Sequence, residues 1–583
     1  MPSLRFLAPN FFKTFQRFPV PVIFSFVLFV LTLGVVQDKG ILTYAFHILG
    51  SGFYMFAIAR LAAEAYGWKS SGEAIFGVAG TFISFLVLMV YFSPLTYMLL
   101  GVIFILMVLT VPFAFRASDD LSFWAYQQSL STGVTMAFLG SALLAGGLCV
   151  ALVSVQYLFG VKIPKDAYIH IFAFAAIVYG PFNALSWVPG KFHTEPAECH
   201  AAPGLPFMLN WILAPLAVLY FLILYGYGIK ILMEGELPRG NVAYMVSGFG
   251  ALGILIYVSG WIMRDTGNAL VRFLYRHFFK LLILPVVLLG FGIYARIAEY
   301  GVTEPRYYVV LLAVWFGAMA LLYTFRPRAP LKIVLSALAV LLILSAFGPW
   351  GAIGVSERSQ YGRLTALLEK NDMLADGKAV PAKGPLSLDD QKDISSIMDY
   401  FARSARPSKK FSALFPEVDF RKNRRSSVEI LSALGIDYMS KYERTRRDEG
   451  VPPFKMLHFN ARLSHAPFMD VKGYDVLIMN FSARQLRENE KNAGGGAKEG
   501  YSMLLDNNTL TLEYKGRTLV LAGPEQLRKL AGIASTGSEP PYLLEVRKGG
   551  FHVKYMIHNA NFKDFGNGKI EASNISGHML IAE

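Results

Sequence analysis

Five residues in one short loop carry side chains of the kinds that bind metals: His193, Glu195, Glu198, Cys199 and His200. A zinc site draws its donors from regularly spaced ligand pairs, because four of them must close a tetrahedron. No such pairing recurs here. The sequence therefore calls for no metal and no cofactor, and the loop reads as polar surface with a reduced thiol. Arg60 and Glu64 lie four residues apart near the end of an apolar run, so they share a helix face and neutralise each other. They form a candidate intramembrane polar pair, with snorkelling at the interface as the plainer reading. Gly180, Pro181, Asn183, Asn210 and Pro215 interrupt two further runs. Broken helices would turn backbone polar groups toward a solute, with Asn183 and Asn210 as transport-path residues; prolines packed on neighbours would only kink them. Gly248, Gly250 and Gly253 spell G-x-G-x-x-G, but inside an apolar run with no preceding strand, which favours close helix packing over a dinucleotide site.

A more directed signal comes from two segments, YGVTEPRYY from Tyr300 and GPWGAIGVSERSQYGRL from Gly348. If both lie at one membrane surface, Arg296, Glu299, Glu304 and Arg306 approach Ser356, Arg358, Ser359, Gln360 and Arg363 and form a polar, net-basic shelf. Arginine forks suit phosphate or carboxylate because they donate two parallel hydrogen bonds. The competing reading is a Thr/Glu-Pro helix start that fixes a hairpin against the following helix. The two readings are compatible. A second basic stretch holds Arg403, Arg406, Lys409, Lys410, Arg421, Lys422, Arg424 and Arg425, and suits solvent or anionic lipid.

The elements that must position these groups are membrane spans. Hydrophobic residues make up 54% of the chain and charged residues 16%, outside the usual range for soluble domains of this length. Eleven apolar stretches fill 19–36, 41–62, 74–92, 94–115, 132–158, 168–189, 206–228, 241–263, 279–297, 307–325 and 330–350. The expected architecture is an α-helical polytopic membrane bundle of about 11 transmembrane helices over 1–350. A juxtamembrane helix and linker follow over 351–385, and then an extracytoplasmic soluble α+β domain over 386–583 with a β-rich C-terminal part.

Charge gives this bundle a direction. Residues 1–351 carry 21 Lys or Arg against 13 Asp or Glu, and residues 352–583 carry 34 against 28. Neither excess has the concentrated field of a nucleic-acid binder, so nucleic acid is set aside and anionic lipid headgroups are the expected partner. With a cytoplasmic N-terminus the inner segments hold 14 Lys or Arg and the outer ones 7, as the positive-inside rule requires. An odd number of crossings then puts the C-terminal domain outside the cytoplasm. Arg5, Lys13 and Arg17 precede the first apolar run without an Ala-x-Ala site, so that run reads as a signal anchor. The chain has 2 cysteines, Cys149 and Cys199, both before the soluble domain, which excludes a disulfide framework there.

In that domain Ser387 stands ahead of Asp389 and Asp390 as a helix start, and Ile394, Ile397, Met398 and Phe401 recur at helical spacing. From Met456 on, the runs VLIMNF, TLTLEY, TLVLAG, YLLEV and FHVKYMI read as strands. Ala493 to Ala497, AGGGA, reads as a flexible loop between strands.

The YGVTEPRYY turn, the GPWGAIGVSERSQYGRLTALL junction and the LSLDDQKDISSIMDYFARS helix together resemble the bacterial membrane family catalogued as domain of unknown function 4153. The resemblance implies a bacterial integral membrane protein. It brings no established activity, and hence no catalytic residues to carry over.

Three functions compete. The leading one is a non-enzymatic scaffold or binding protein of the cell envelope, whose bundle in the inner membrane displays an extracytoplasmic domain and whose shelf contacts anionic lipid or an envelope protein. A secondary transporter for a small solute is the alternative. A lipid-linked glycosyltransferase is weaker, since the first outer loop is about QDKG with Asp38 alone, too short to hold acidic groups for a metal or an acceptor.

Overall fold

A computed structural model describes residues 7–35, 39–90, 93–117, 119–161, 163–195, 201–202, 204–235, 242–384, 386–403, 409–416, 427–436, 438–439, 455–460, 471–484, 501–506, 508–514, 516–534, 542–548, 550–564 and 570–582. The chain divides into two compact units, one of residues 1–385 and 399–426, the other of 386–398 and 427–583.

The first unit is a helical bundle. Its helices are α1 (Leu7–Arg17), α2 (Pro19–Leu33), α3 (Lys39–Tyr66), α4 (Ser70–Val90), α5 (Pro94–Thr110) and α6 (Asp120–Phe159), then α7 (Lys165–Ser186), α8 (Leu205–Ile231), α9 (Val242–Ser259), α10 (Ala269–Tyr300), α11 (Glu304–Phe325) and α12 (Lys332–Ser345). Among the described residues eight of them are long and apolar enough to cross a membrane, and three shorter apolar helices span Pro19–Leu33, Ala243–Ser259 and Lys332–Ser345. Each of the eleven apolar stretches is thus helical, but eight reach spanning length. The starts obey capping rules: Ser93 accepts from the Thr96 amide at 3.1 Å, Asp119 from the Ser122 amide at 3.1 Å and Asn268 from the Val271 amide at 2.9 Å.

Proline breaks the backbone ladder here in a regular way. A proline inside a helix leaves the carbonyl four residues earlier without its donor. Pro112, Pro181 and Pro285 would strand the carbonyls of Val108, Ile177 and Leu281. Those oxygens accept instead from Tyr126 Oη at 2.9 Å, from Ser25 Oγ, and from Tyr225 Oη at 3.0 Å. Hydroxyls from neighbouring helices therefore repair the defects, as a segment without water requires. The repair at Pro181 sits beside a π-helical turn, Ala175–Tyr179, whose Ala175 carbonyl accepts from Ser141 Oγ at 3.0 Å.

The glycine pattern also resolves into packing. A Cβ on Gly250 would stand 2.4 Å from the Phe316 ring and one on Gly253 1.9 Å from the Phe278 ring. Both rings are buried in the same core as Trp124, Phe249, Tyr257 and Tyr323. Small residues let these rings close against the helix backbone.

After the bundle comes α13 (Ala352–Lys370), within the stretch read as juxtamembrane helix and linker. A short hairpin follows, β1 (Leu374–Ala375) with β2 (Lys378–Ala379), turned by Asp376 and Gly377 at φ +50° and +71°. Next come α14 (Leu388–Arg403) and α15 (Lys409–Leu414). Ser387 Oγ accepts from the Asp390 amide at 3.1 Å, the expected cap, and Ile394, Ile397, Met398 and Phe401 are buried, the expected face. The Phe401 and Phe411 rings stack at 4.0 Å.

The second unit is β-rich, as the strand-like runs predict. It contains α16 (Ser427–Ala433), β3 (Lys455–Asn460), β4 (Val476–Arg484), β5 (Tyr501–Asp506), β6 (Thr509–Tyr514), β7 (Arg517–Ala522), α17 (Pro524–Ala534), β8 (Tyr542–Lys548), β9 (Phe551–Asp564) and β10 (Ile570–Ala582). One antiparallel sheet runs β3-β9-β10-β4, with β8 pairing the first half of β9 and β3 the second. The other is β5-β6-β7. Both sheets and α17 share a core that holds Leu510, Leu530, Tyr555, Ile557 and Phe562. Asn508, at the tip of the β5–β6 turn with φ +58°, ties them together: its Oδ1 accepts from the Ala572 amide at 2.7 Å and its Nδ2 donates to the Ile570 carbonyl. Ala493–Ala497 lie outside the described residues.

Candidate functional site

The two segments singled out by sequence meet at one end of the bundle. Helix α10 ends at Tyr300, where the last carbonyls of any helix lie beyond the reach of its own ladder. Four side chains gather at this turn. Arg306 Nη1 donates to the Tyr300 carbonyl at 3.1 Å and to the Gly301 carbonyl at 2.7 Å. Gln360 Nε2 donates to the Tyr300 carbonyl at 3.1 Å and the Val302 carbonyl at 2.8 Å. Arg363 Nη2 donates to the Glu299 carbonyl at 3.0 Å, and Ser359 Oγ accepts from the Val302 amide at 2.9 Å. Cations at a helix C-terminus are also favoured by its dipole. The arrangement is a clasp that fastens α13 to the α10–α11 turn.

Gly301 makes the clasp possible. Its φ of 69° and ψ of −176° suit glycine alone, and a Cβ there would stand 2.7 Å from Arg363 Cδ and 3.0 Å from both Gln360 Nε2 and Ser359 Oγ. Above it the charge is mostly positive. Arg296 and Arg363 repel the Arg306 guanidinium and Glu299 attracts it, so all four share one neighbourhood. Arg306 also lies over the Tyr300 ring at 5.3 Å. Arg296, Glu299 and Arg358 are exposed. Ser356 is fully buried in the α13 face and, among the described residues, its Oγ has no hydrogen-bond partner, so it packs as a small residue.

Glu304 belongs to a different group. It sits in the first turn of α11, where the helix dipole favours an acid, and its Oε1 accepts from Tyr400 Oη at 2.7 Å. Tyr400 lies in the part of α14 that belongs to the first unit. Burial, then the Glu304 charge and this hydrogen bond, push the Tyr400 hydroxyl up. Burial, then the Glu304 charge, also raise the Glu357 carboxyl above its ordinary value. Neither residue is among those the sequence singles out. Glu357 stands in plain view within SERSQ, but Tyr400 is 96 residues from its partner and no local spacing marks it.

Arg60 and Glu64 meet as expected, within a larger network. Arg60 Nε donates to Glu64 Oε1 at 3.1 Å and Arg60 Nη1 to Glu73 Oε2 at 3.3 Å. Arg17 forks onto the same Glu64, with Nη2 2.8 Å from Oε2 and Nε 3.0 Å from Oε1. The same guanidinium caps the end of α7 by donating to the Val188 and Pro189 carbonyls at 2.6 and 2.7 Å. Two arginines and two carboxylates thus balance one another.

The candidate transport-path residues are engaged within the bundle. Asn183 Nδ2 donates to Tyr179 Oη at 3.3 Å. Asn210 Oδ1 accepts from the Asn268 amide at 2.9 Å, and Asn268 Nδ2 donates to the Asn210 carbonyl at 2.9 Å. Of the loop with metal-binding residue types, His193 pairs with Asp119 at 3.2 Å, while Glu198, Cys199 and His200 lie outside the described residues. Among the described residues no group of three or more His, Cys, Asp or Glu is placed to hold a metal ion. Asp38, Arg406, Arg421, Lys422, Arg424 and Arg425 are likewise outside them.

The family model described as domain of unknown function (DUF4153) matches residues 23–382, which takes in the bundle from within α2 onward, the clasp and the hairpin. An uncharacterized protein of Pasteurella multocida (strain Pm70), PM1469, is 29% identical over 255 residues, covering 41% of this chain and 41% of that protein. The chain thus spans about two fifths of the length of the curated relative it matches. No solved structure matches.

Proposed function

We propose that this chain, which belongs to the family of the domain of unknown function DUF4153 and is a multi-pass membrane protein, is a non-enzymatic scaffold or binding protein of the bacterial inner membrane. In this reading the N-terminus is cytoplasmic, the bundle is an anchor, and the C-terminal domain is displayed outside the cytoplasm. The basic shelf above the clasp contacts anionic lipid headgroups or an envelope protein.

The observation that carries the reading is the division of labour among the shelf arginines. Arg306 and Arg363 spend donors on the carbonyls that end α10, which mounts α13 on the bundle, whereas Arg296 and Arg358 are exposed. A rigid mount with exposed guanidinium groups suits recognition of a phosphate or carboxylate. The positive-inside bias supports the orientation.

The test is capture. Arg296→Gln with Arg358→Gln leaves the clasp intact and should reduce co-purified anionic phospholipid, or crosslinking to an envelope protein, several-fold. Unchanged lipid content and unchanged crosslinking would remove the proposed contact site.

A further inference from the structure

Helix α10 contains 32 residues, so it is about 48 Å long, against roughly 30 Å of hydrocarbon in a bilayer. Its charges show where the excess lies. Leu281 to Ala295 hold no Asp, Glu, Lys or Arg, while Arg272, Arg276 and Lys280 precede them at intervals of four residues. Counted back from its end at Tyr300, the helix from Leu281 already covers about 30 Å, which leaves the first three turns for the headgroup region.

The three basic residues are exposed, and the same side of the helix continues as exposed apolar side chains. Ile283, Val287, Phe291 and Tyr294 are 38%, 46%, 54% and 70% exposed. The steps from Arg272 to Tyr294 are four, four, three, four, four and three residues, which is one continuous stripe on a helix. The stripe is thus cationic at one end and apolar along the rest, the polarity of a phospholipid lying beside it. Arg272 holds part of its guanidinium in place by donating Nη1 to the Gly267 carbonyl at 2.8 Å. Trp261 and Arg264 stack nearby in the same loop region at 4.0 Å, and a tryptophan of this kind favours the interface.

We propose that this face of α10 binds one anionic phospholipid, with its phosphate between Arg276 and Lys280 and its acyl chain along Ile283, Val287 and Phe291. The site lies at the other end of α10 from the arginine shelf and does not depend on it. Basic residues gathered at a membrane surface for orientation alone need no shared stripe with apolar neighbours, and Arg326 and Arg328 provide that comparison. Both are exposed, in the loop between α11 and α12.

The experiment is native mass spectrometry of the full chain titrated with phosphatidylglycerol, cardiolipin and phosphatidylcholine. Each basic group near an anionic headgroup contributes about fivefold in affinity, so Arg276→Gln with Lys280→Gln should weaken phosphatidylglycerol and cardiolipin binding on the order of thirtyfold. Arg326→Gln with Arg328→Gln should leave it unchanged, and phosphatidylcholine should bind all forms equally weakly. Arg276→Gln alone, expected at about fivefold, serves if the double variant fails to fold. Equal losses in both double variants, or no loss in the α10 variant, would overturn the proposal.

Discussion

Arg306 and Gln360 share one acceptor: the Tyr300 carbonyl receives Nη1 of the first and Nε2 of the second, each at 3.1 Å. One residue comes from the helix after the turn and the other from the helix after the bundle. The oxygen that ends α10 is therefore the point where three helices are joined. Because the two donors share one acceptor, Arg306→Met and Gln360→Leu should not be additive. A double-mutant cycle in thermal unfolding should show a coupling of about 0.5–3 kcal/mol; strict additivity would mean that each acts on a separate contact.

Gly301→Ala should destabilise the bundle more than any exposed glycine substitution. The backbone conformation is one that only glycine tolerates, at a cost of about 1–3 kcal/mol for another residue, and the new methyl meets Arg363 and Gln360 as well. Melting in detergent should fall, whereas Gly362→Ala, in the interior of α13 where a Cβ would meet nothing within 4 Å, should melt at or above the parent.

Glu357 gives the extramembrane part of the first unit a pH dependence of defined sign. A carboxyl raised in the folded chain holds its proton more tightly than the unfolded chain does. Its contribution is fully present below the ordinary value of 4.5 and is lost as pH rises through the folded value. Glu357→Gln keeps the neutral form at every pH, so it should melt higher than the parent near about pH 8 and converge with it near about pH 4. A variant that melts lower at the alkaline end would show that the charged form is the stabilising one.

Tyr225→Phe removes the hydroxyl that repairs the backbone at Pro285. It should cost about 1–2 kcal/mol, because the Leu281 carbonyl loses its donor away from water. Restoring the backbone donor with Pro285→Ala in the same chain should recover most of that loss, and no recovery would detach the tyrosine from the proline.

The sequence is most legible where physics is local. Apolar runs mark the helices, Ser387 caps its helix, and TLTLEY alternates as written, with Leu510, Leu512 and Tyr514 buried. The clasp is legible in part because α11 and α12, the two helices between the α10–α11 turn and α13, return the chain to the end of the bundle it left. Span length is less so: the apolar runs at 19–36, 241–263 and 330–350 form the shorter helices Pro19–Leu33, Ala243–Ser259 and Lys332–Ser345. Partners far apart in the chain are not legible at all. Arg17 reaches Glu64 across 47 residues and the two Val188 and Pro189 carbonyls across 171 and 172, and nothing in a stretch of apolar sequence announces which ends will meet. The hydroxyls that serve proline-freed carbonyls are hidden for the same reason, although each proline indicates that some donor must exist.

In the proposed function the bundle displays the C-terminal domain outside the cytoplasm. Its most direct test is a pair of fusions after Glu583, one reporter active only outside the cytoplasm and one active only inside. An extracytoplasmic C-terminal domain gives activity from the outside reporter and silence from the other, with envelope-facing partners for the shelf. Activity from the inside reporter would contradict it, placing the clasp and its arginines on the cytoplasmic surface.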